Sequence, residues 1–98
     1  MSNVNQTSKT NANSSEESNI EITLDPRDLN SLIELMDKYG NSGYKFFGKG
    51  SEGQSVTISI WPNYIIVDTL QKNGWTRRNI YHRDGYREEL FSKDGNFE

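Results

Sequence analysis

The chain contains no cysteine, which excludes disulfides, thiolate zinc sites and thiol nucleophiles together. Its one histidine, His82, cannot furnish a histidine-rich metal cage. Long apolar runs are missing too. Ile65-Ile66-Val67 is the longest, far short of the about 20 apolar residues of a membrane-spanning helix. The opening text, MSNVNQTSKTNANSSEESN, has neither the basic stretch nor the apolar centre of a secretory signal. A soluble, cytoplasmic protein is the expectation from these absences. Hydrophobic residues are scarce, at 32% with a mean hydropathy of −0.88, so part of the chain is expected outside any core. Length, 98 residues, allows one domain, and the net charge is −3.

What is present sorts into two parts. Residues 1–19 carry five Ser and five Asn, and only Met1, Val4 and Ala12 are apolar. Such a stretch cannot bury enough surface to offset the entropy of ordering it, so it reads as a disordered tail. Residues 20–98 then form a single α+β domain, near the size at which one core is only marginally stabilising. Ile20-Glu21-Ile22-Thr23-Leu24 alternates with the period of a half-buried strand. Asp25-Pro26 follows as N-cap and first helical residue, and Leu29, Leu32, Ile33, Met36 and Tyr39 make one apolar stripe. With Gly40 as the stop, the spacing predicts a helix over 26–39.

From Tyr44 onward the period is two, and turn signals recur at Pro62-Asn63, Asn73-Gly74, Asp84-Gly85 and Asp94-Gly95. The expected fold is one amphipathic helix packed on one face of an antiparallel four- to five-stranded β-meander, after the N-terminal tail. Treating the first three turns as two-residue connections fixes a register. Ile60 then opposes Ile65, Ile65 opposes His82, and His82 opposes Arg87. Val56, Ile58, Ile60, Ile65, Val67, Ile80 and Phe91 share the face expected beneath the helix. Trp61, Tyr64, Tyr81, Arg83, Tyr86 and Arg77 share the opposite face, which a single helix leaves to solvent.

Signals for chemistry are weak. Gly48-Lys49-Gly50-Ser51-Glu52-Gly53 matches G-x-G-x-x-G, but a strand pattern follows where a dinucleotide site needs a helix N-terminus. It reads as a hairpin loop. His82 falls on the core-side face at the rim of the sheet, with Glu89 as neighbour and no motif-marked nucleophile. No calcium-type loop or His/Cys cluster occurs. The expectation is a non-enzymatic domain with no cofactor, no metal and no membrane segment.

Trp, Tyr and Arg are the residue types enriched at binding hot spots. The leading expectation is therefore a small protein-binding module, of adaptor or inhibitor type, that docks a partner through Trp61, Tyr64, Tyr81, Arg83, Tyr86 and Arg77. Eleven Asn and eleven Ser beside a single His suit an AT-rich genome, such as that of a low-GC bacterium or its phage. Two alternatives stand beside this. Arg77, Arg78, Arg83 and Arg87 interleave with Trp75, Tyr81 and Tyr86, so the cluster over 75–87 has the content of a single-stranded nucleic-acid-binding surface. The acidic net charge weighs against it. An unprotected edge strand, 44–47 or 86–92, would instead let the protein self-associate into a homo-oligomeric structural component.

Overall fold

Alternating strands punctuated by glycine fold as consecutive hairpins, and the second half of this chain does so. The computed structural model describes residues 9–12 and 21–97. Its strands are β1 (Lys9–Ala12), β2 (Glu21–Thr23), β3 (Lys45–Lys49), β4 (Ser55–Ile60), β5 (Tyr64–Leu70), β6 (Thr76–His82) and β7 (Arg87–Ser92). Helix α1 (Leu29–Tyr39) runs into a short 3-10 turn over Gly40–Ser42. The strands form one antiparallel sheet in the order β2-β1-β3-β4-β5-β6-β7, in which β3 to β7 are the meander. The fold is α+β, with the helix on one face. Leu32 and Met36 of α1 enter a core shared with Phe46, Ile58, Ile60, Ile65, Val67 and Tyr81, completed by Ile22 and Leu24.

Within the stretch 1–19, Lys9–Ala12 is described and is a strand, hydrogen-bonded between β2 and β3. Apolar content gives no sign of it, because a place between two strands asks only for backbone N–H and C=O groups. The reading of residues 1–8 and 13–19 as a tail lies outside the described residues. With β1 in place, the segment 44–47 is no edge: β3 pairs on both sides.

The helix starts later than its spacing predicts. Asp25 Oδ1 accepts the Arg27 N–H at 3.1 Å and Asp25 O accepts the Asp28 N–H at 3.1 Å, so Asp25-Pro26 opens a turn, not the helix. Asp28 is the N-cap, accepting from Ser31 N at 3.3 Å and Ser31 Oγ at 2.9 Å. At the other end, Gly40 has an ordinary helical φ of −65°, and the left-handed stop is Gly43 at φ 64°. Gly40 is required for space. A Cβ there would lie 2.7–2.8 Å from the Trp61 carbonyl and Pro62 N, where α1 meets the β4–β5 turn.

Three hairpins share one loop geometry. Gly50 and Gln54, Gln71 and Trp75, and His82 and Tyr86 close loops of three residues, with N–H to O=C distances of 2.8 Å. The third loop residue is Gly53, Gly74 or Gly85, at φ 82°, 90° and 96°. No other residue type among those described has positive φ, so each loop is a type I turn followed by a left-handed glycine. The G-x-G-x-x-G match is the first of these hairpins.

The two-residue assumption therefore fails at Asn73-Gly74 and Asp84-Gly85, and the register slips by one at each. Tyr64, not Ile65, faces His82, and Tyr81, not His82, faces Arg87. One slip turns β6 over: Arg77, Asn79 and Tyr81 lie on the helix side, while Arg78, Ile80 and His82 face outward. The second slip returns Arg87, Glu89 and Phe91 to the helix side, where Phe91 nonetheless stays exposed beyond the helix. Pro62-Asn63 is a two-residue connection, and Ile60 pairs Ile65 as the spacing predicts.

Helix propensity alone would make Gly40→Ala stabilising by about 0.5–1 kcal/mol. The clash with Trp61 reverses the sign, and we expect a loss of roughly 1–3 kcal/mol in urea unfolding; a raised midpoint would refute the steric account. The second expectation concerns acid. Hydrogen bonds from the Ser31 hydroxyl, then from the Ser31 N–H, hold the Asp28 carboxyl below its ordinary pKa. Its stabilisation is present above the unfolded value and lost as pH falls through the folded one. Asp28→Ala should lower Tm at neutral pH, with the gap from wild type closing in acid; a gap independent of pH would mean the carboxylate is not its source.

Candidate functional site

A single helix covers a single sheet face. Side chains that alternate away from it stay in solvent unless something else packs there. Phe47 follows buried Phe46 on β3, and Tyr64 and Leu70 flank the buried positions of β5. Leu90 pairs with outward-facing Arg78, and Tyr86 closes the hairpin opposite His82. These five large hydrophobics are exposed on the outer face, with Phe47 at 44%, Leu70 at 49% and Tyr86 at 63%. Ile66 and Ile80, directly paired, are half-buried between them.

Two polar pairs run across this face. Arg78 donates from Nε to Asp68 Oδ1 at 2.8 Å and from Nη2 to Oδ2 at 2.9 Å, a two-pronged pair between direct strand partners. The Asp68 hydrogen bond raises the Arg78 pKa, and the Phe97 ring lies 4.4 Å from the guanidinium carbon. His82 Nε2 is 2.7 Å from Glu88 Oε2. Its ring stands between Tyr64 and Tyr86, at centroid distances of 6.1 and 5.4 Å. The histidine thus belongs to the outer face with Glu88, not to the core side with Glu89, as a consequence of the β6 slip.

Of the six residues singled out from the sequence, Tyr64 and Tyr86 lie on this face, and Trp61 stands opposite Tyr64 across the β4–β5 turn, 38% exposed. Tyr81 is 4% exposed and belongs to the core, where burial pushes its hydroxyl pKa up against a smaller opposing effect of Arg87 and Arg77. Arg77 is half-buried on the helix side and lies 3.7 Å from Glu89. Its Nε and the Asn79 Oδ1 are buried with no hydrogen-bond partner among the described residues. Arg83 is a clamp. It donates from Nε and Nη2 to Pro62 O at 3.1 and 2.9 Å and from Nη2 to Asp37 Oδ1 at 2.7 Å, joining two turns to α1. The Trp61 indole packs at Gly43, where an added Cβ would fall 2.7 Å from Cζ3. Phe47, Leu70 and Leu90 escape a composition argument that favours Trp, Tyr and Arg; alternation outward from Phe46 and Ile65 was the signal available.

Among the described residues no group of three or more His, Cys, Asp or Glu is placed to hold a metal ion, and no helix is long and apolar enough to cross a membrane. Compared with protein-family models, with curated proteins and with solved structures, the chain matches none.

Two tyrosines assigned to one face by two-residue turns now separate in energy. Tyr81→Ala should destabilise by about 3–4 kcal/mol as a buried aromatic truncation. Tyr86→Ala should stay within about 1 kcal/mol. Equal losses in chemical denaturation would contradict the register.

Proposed function

We propose that the protein is a small, non-catalytic, cytoplasmic protein-binding module, of adaptor or inhibitor type from a low-GC bacterium or its phage, and that it docks its partner on the outer face of the sheet. The observation that carries this is the exposure of Phe47, Tyr64, Leu70, Tyr86 and Leu90 on the one sheet face that the helix does not cover. Exposed apolar side chains set among internally paired polar groups on one face are the make-up of protein interaction sites. Arg78 and Asp68 satisfy each other's charge, and His82 and Glu88 share a hydrogen bond, so the polar groups of the face are already partnered before docking.

We favour a protein over single-stranded nucleic acid because three of the four arginines of 75–87 are paired with carboxylates of the domain, and Arg87 alone is left without one among the described residues. Arg78 holds Asp68, Arg83 holds Asp37 and Pro62 O, and Arg77 faces the other side. Phosphate binding draws on cations free to replace counterions. Self-association through β7 is disfavoured by Arg87, Glu88 and Glu89, charges that discourage strand addition at an edge.

The test uses tagged full-length chain and a Leu70→Asp/Leu90→Asp variant, each recovered from the cell that makes the protein. A stoichiometric protein partner should come with wild type, resist nuclease, and fall by about tenfold or more with the variant, while Tm stays close to wild type. Retention of the same partner by the variant, or loss of the partner on nuclease treatment, would overturn the proposal.

A further inference from the structure

The β6–β7 hairpin brings the end of the sheet toward the start of α1, and a groove of about 220 Å³ lies between them. Leu29, Leu32 and Tyr81 give it an apolar lining, with Arg27 from the turn before the helix and Tyr86 and Arg87 from the hairpin. Leu29 remains exposed although it begins the helix stripe, because its neighbour across the groove is Gly85: a Cβ there would lie 3.7 Å from Leu29 Cδ2. Arg27 and Arg87 have no acidic partner within 4 Å among the described residues, in contrast to Arg77, Arg78 and Arg83. Arg87 stands 5.7 Å over the Tyr81 ring instead. The carboxylates nearby are turned to their own backbone: Asp25 accepts from Arg27 N, Asp28 from Ser31 N and Asp84 from Tyr86 N.

An apolar floor between two unpaired guanidiniums complements an aliphatic side chain flanked by carboxylates, since guanidinium is the donor best matched to a carboxylate. We propose that this groove takes an acidic–aliphatic segment of a protein partner. The inference rests on the protein-binding function above but concerns a different surface, contiguous with the outer face through Tyr86 and His82. The groove is small, so it anchors one or two side chains of the segment and sets which segment is accepted.

The probe is the acetylated, amidated peptide Glu-Leu-Asp-Leu-Glu, titrated into isotope-labelled full-length chain by NMR. Amides of Arg27, Leu29, Gly85 and Arg87 should shift, and binding should weaken with salt. The neutral counterpart Gln-Leu-Asn-Leu-Gln, and an Arg27→Ala/Arg87→Ala variant, should each bind about tenfold more weakly. Absence of shifts at millimolar peptide, equal binding of the neutral peptide, or shifts confined to Leu70 and Leu90 would overturn the proposal. The Leu70→Asp/Leu90→Asp variant keeps the two ideas apart. It should bind the peptide as wild type does, so loss of outer-face docking leaves the groove result standing, and the reverse holds too.

Discussion

The organisation of this domain depends on one backbone constraint, the left-handed glycine at the third position of a three-residue hairpin loop. Gly53, Gly74 and Gly85 each occupy it. A loop of this kind adds one residue to the connection and so decides which of two alternating sets of side chains turns inward. For β6 that decision is not made by hydrophobicity. One parity of the strand offers Arg77, Asn79 and Tyr81, the other Arg78, Ile80 and His82, each with a single large hydrophobic or aromatic anchor suited to the core. The loops choose Tyr81. The choice sends Arg78 outward onto Asp68 and His82 outward onto Glu88, where both pairs keep contact with water. It also leaves a cost on the helix side, where Arg77 Nε and Asn79 Oδ1 have no partner among the described residues.

Long-range polar contacts then lock what the loops set. Asp37 and Arg83 are 46 positions apart, yet one guanidinium spans the helix, the β4–β5 turn and the β6–β7 turn. Gly40 and Gly43 allow this by letting the end of α1 close onto Trp61 and Pro62. An arginine that resembles a binding residue in composition is thereby a brace. Surface ion pairs contribute modestly, about 0–1 kcal/mol each, so the clamp fixes geometry more than it adds stability.

What could be read from the residues alone follows from where hydrophobicity is decisive. Val56, Ile58 and Ile60 against Ile65 and Val67 admit one register, and the β4–β5 pair has it. The helix stripe of Leu32 and Met36 is equally unambiguous, and both residues are buried. The start of the helix was less legible because Asp25 and Asp28 are both competent caps; Pro26 fits the first residue of a helix and the second of a turn alike. β1 was not legible at all, since its place is secured by backbone pairing. The candidate site inherited the error of β6: Tyr81, Arg77 and His82 changed faces together, while Tyr64, on the correctly registered β5, did not.

The size of the helix explains why open surface remains on both sides. Eleven residues make about 16 Å of helix, roughly 10 Å across, whereas strands repeat every 4.8 Å or so. Such a helix shields the central strands and stops short of the far ones. The outer face therefore lies beyond the helix's reach, and so does the helix side of β7, where Phe91 and Arg87 stand clear. A second helix would have closed both gaps at the expense of this exposed apolar surface. With 32% hydrophobic residues, leaving Phe47, Leu70, Tyr86 and Leu90 outside is a large sacrifice of core material. That sacrifice has a physical rationale if burial is completed in a complex, where the same apolar surface leaves water on association.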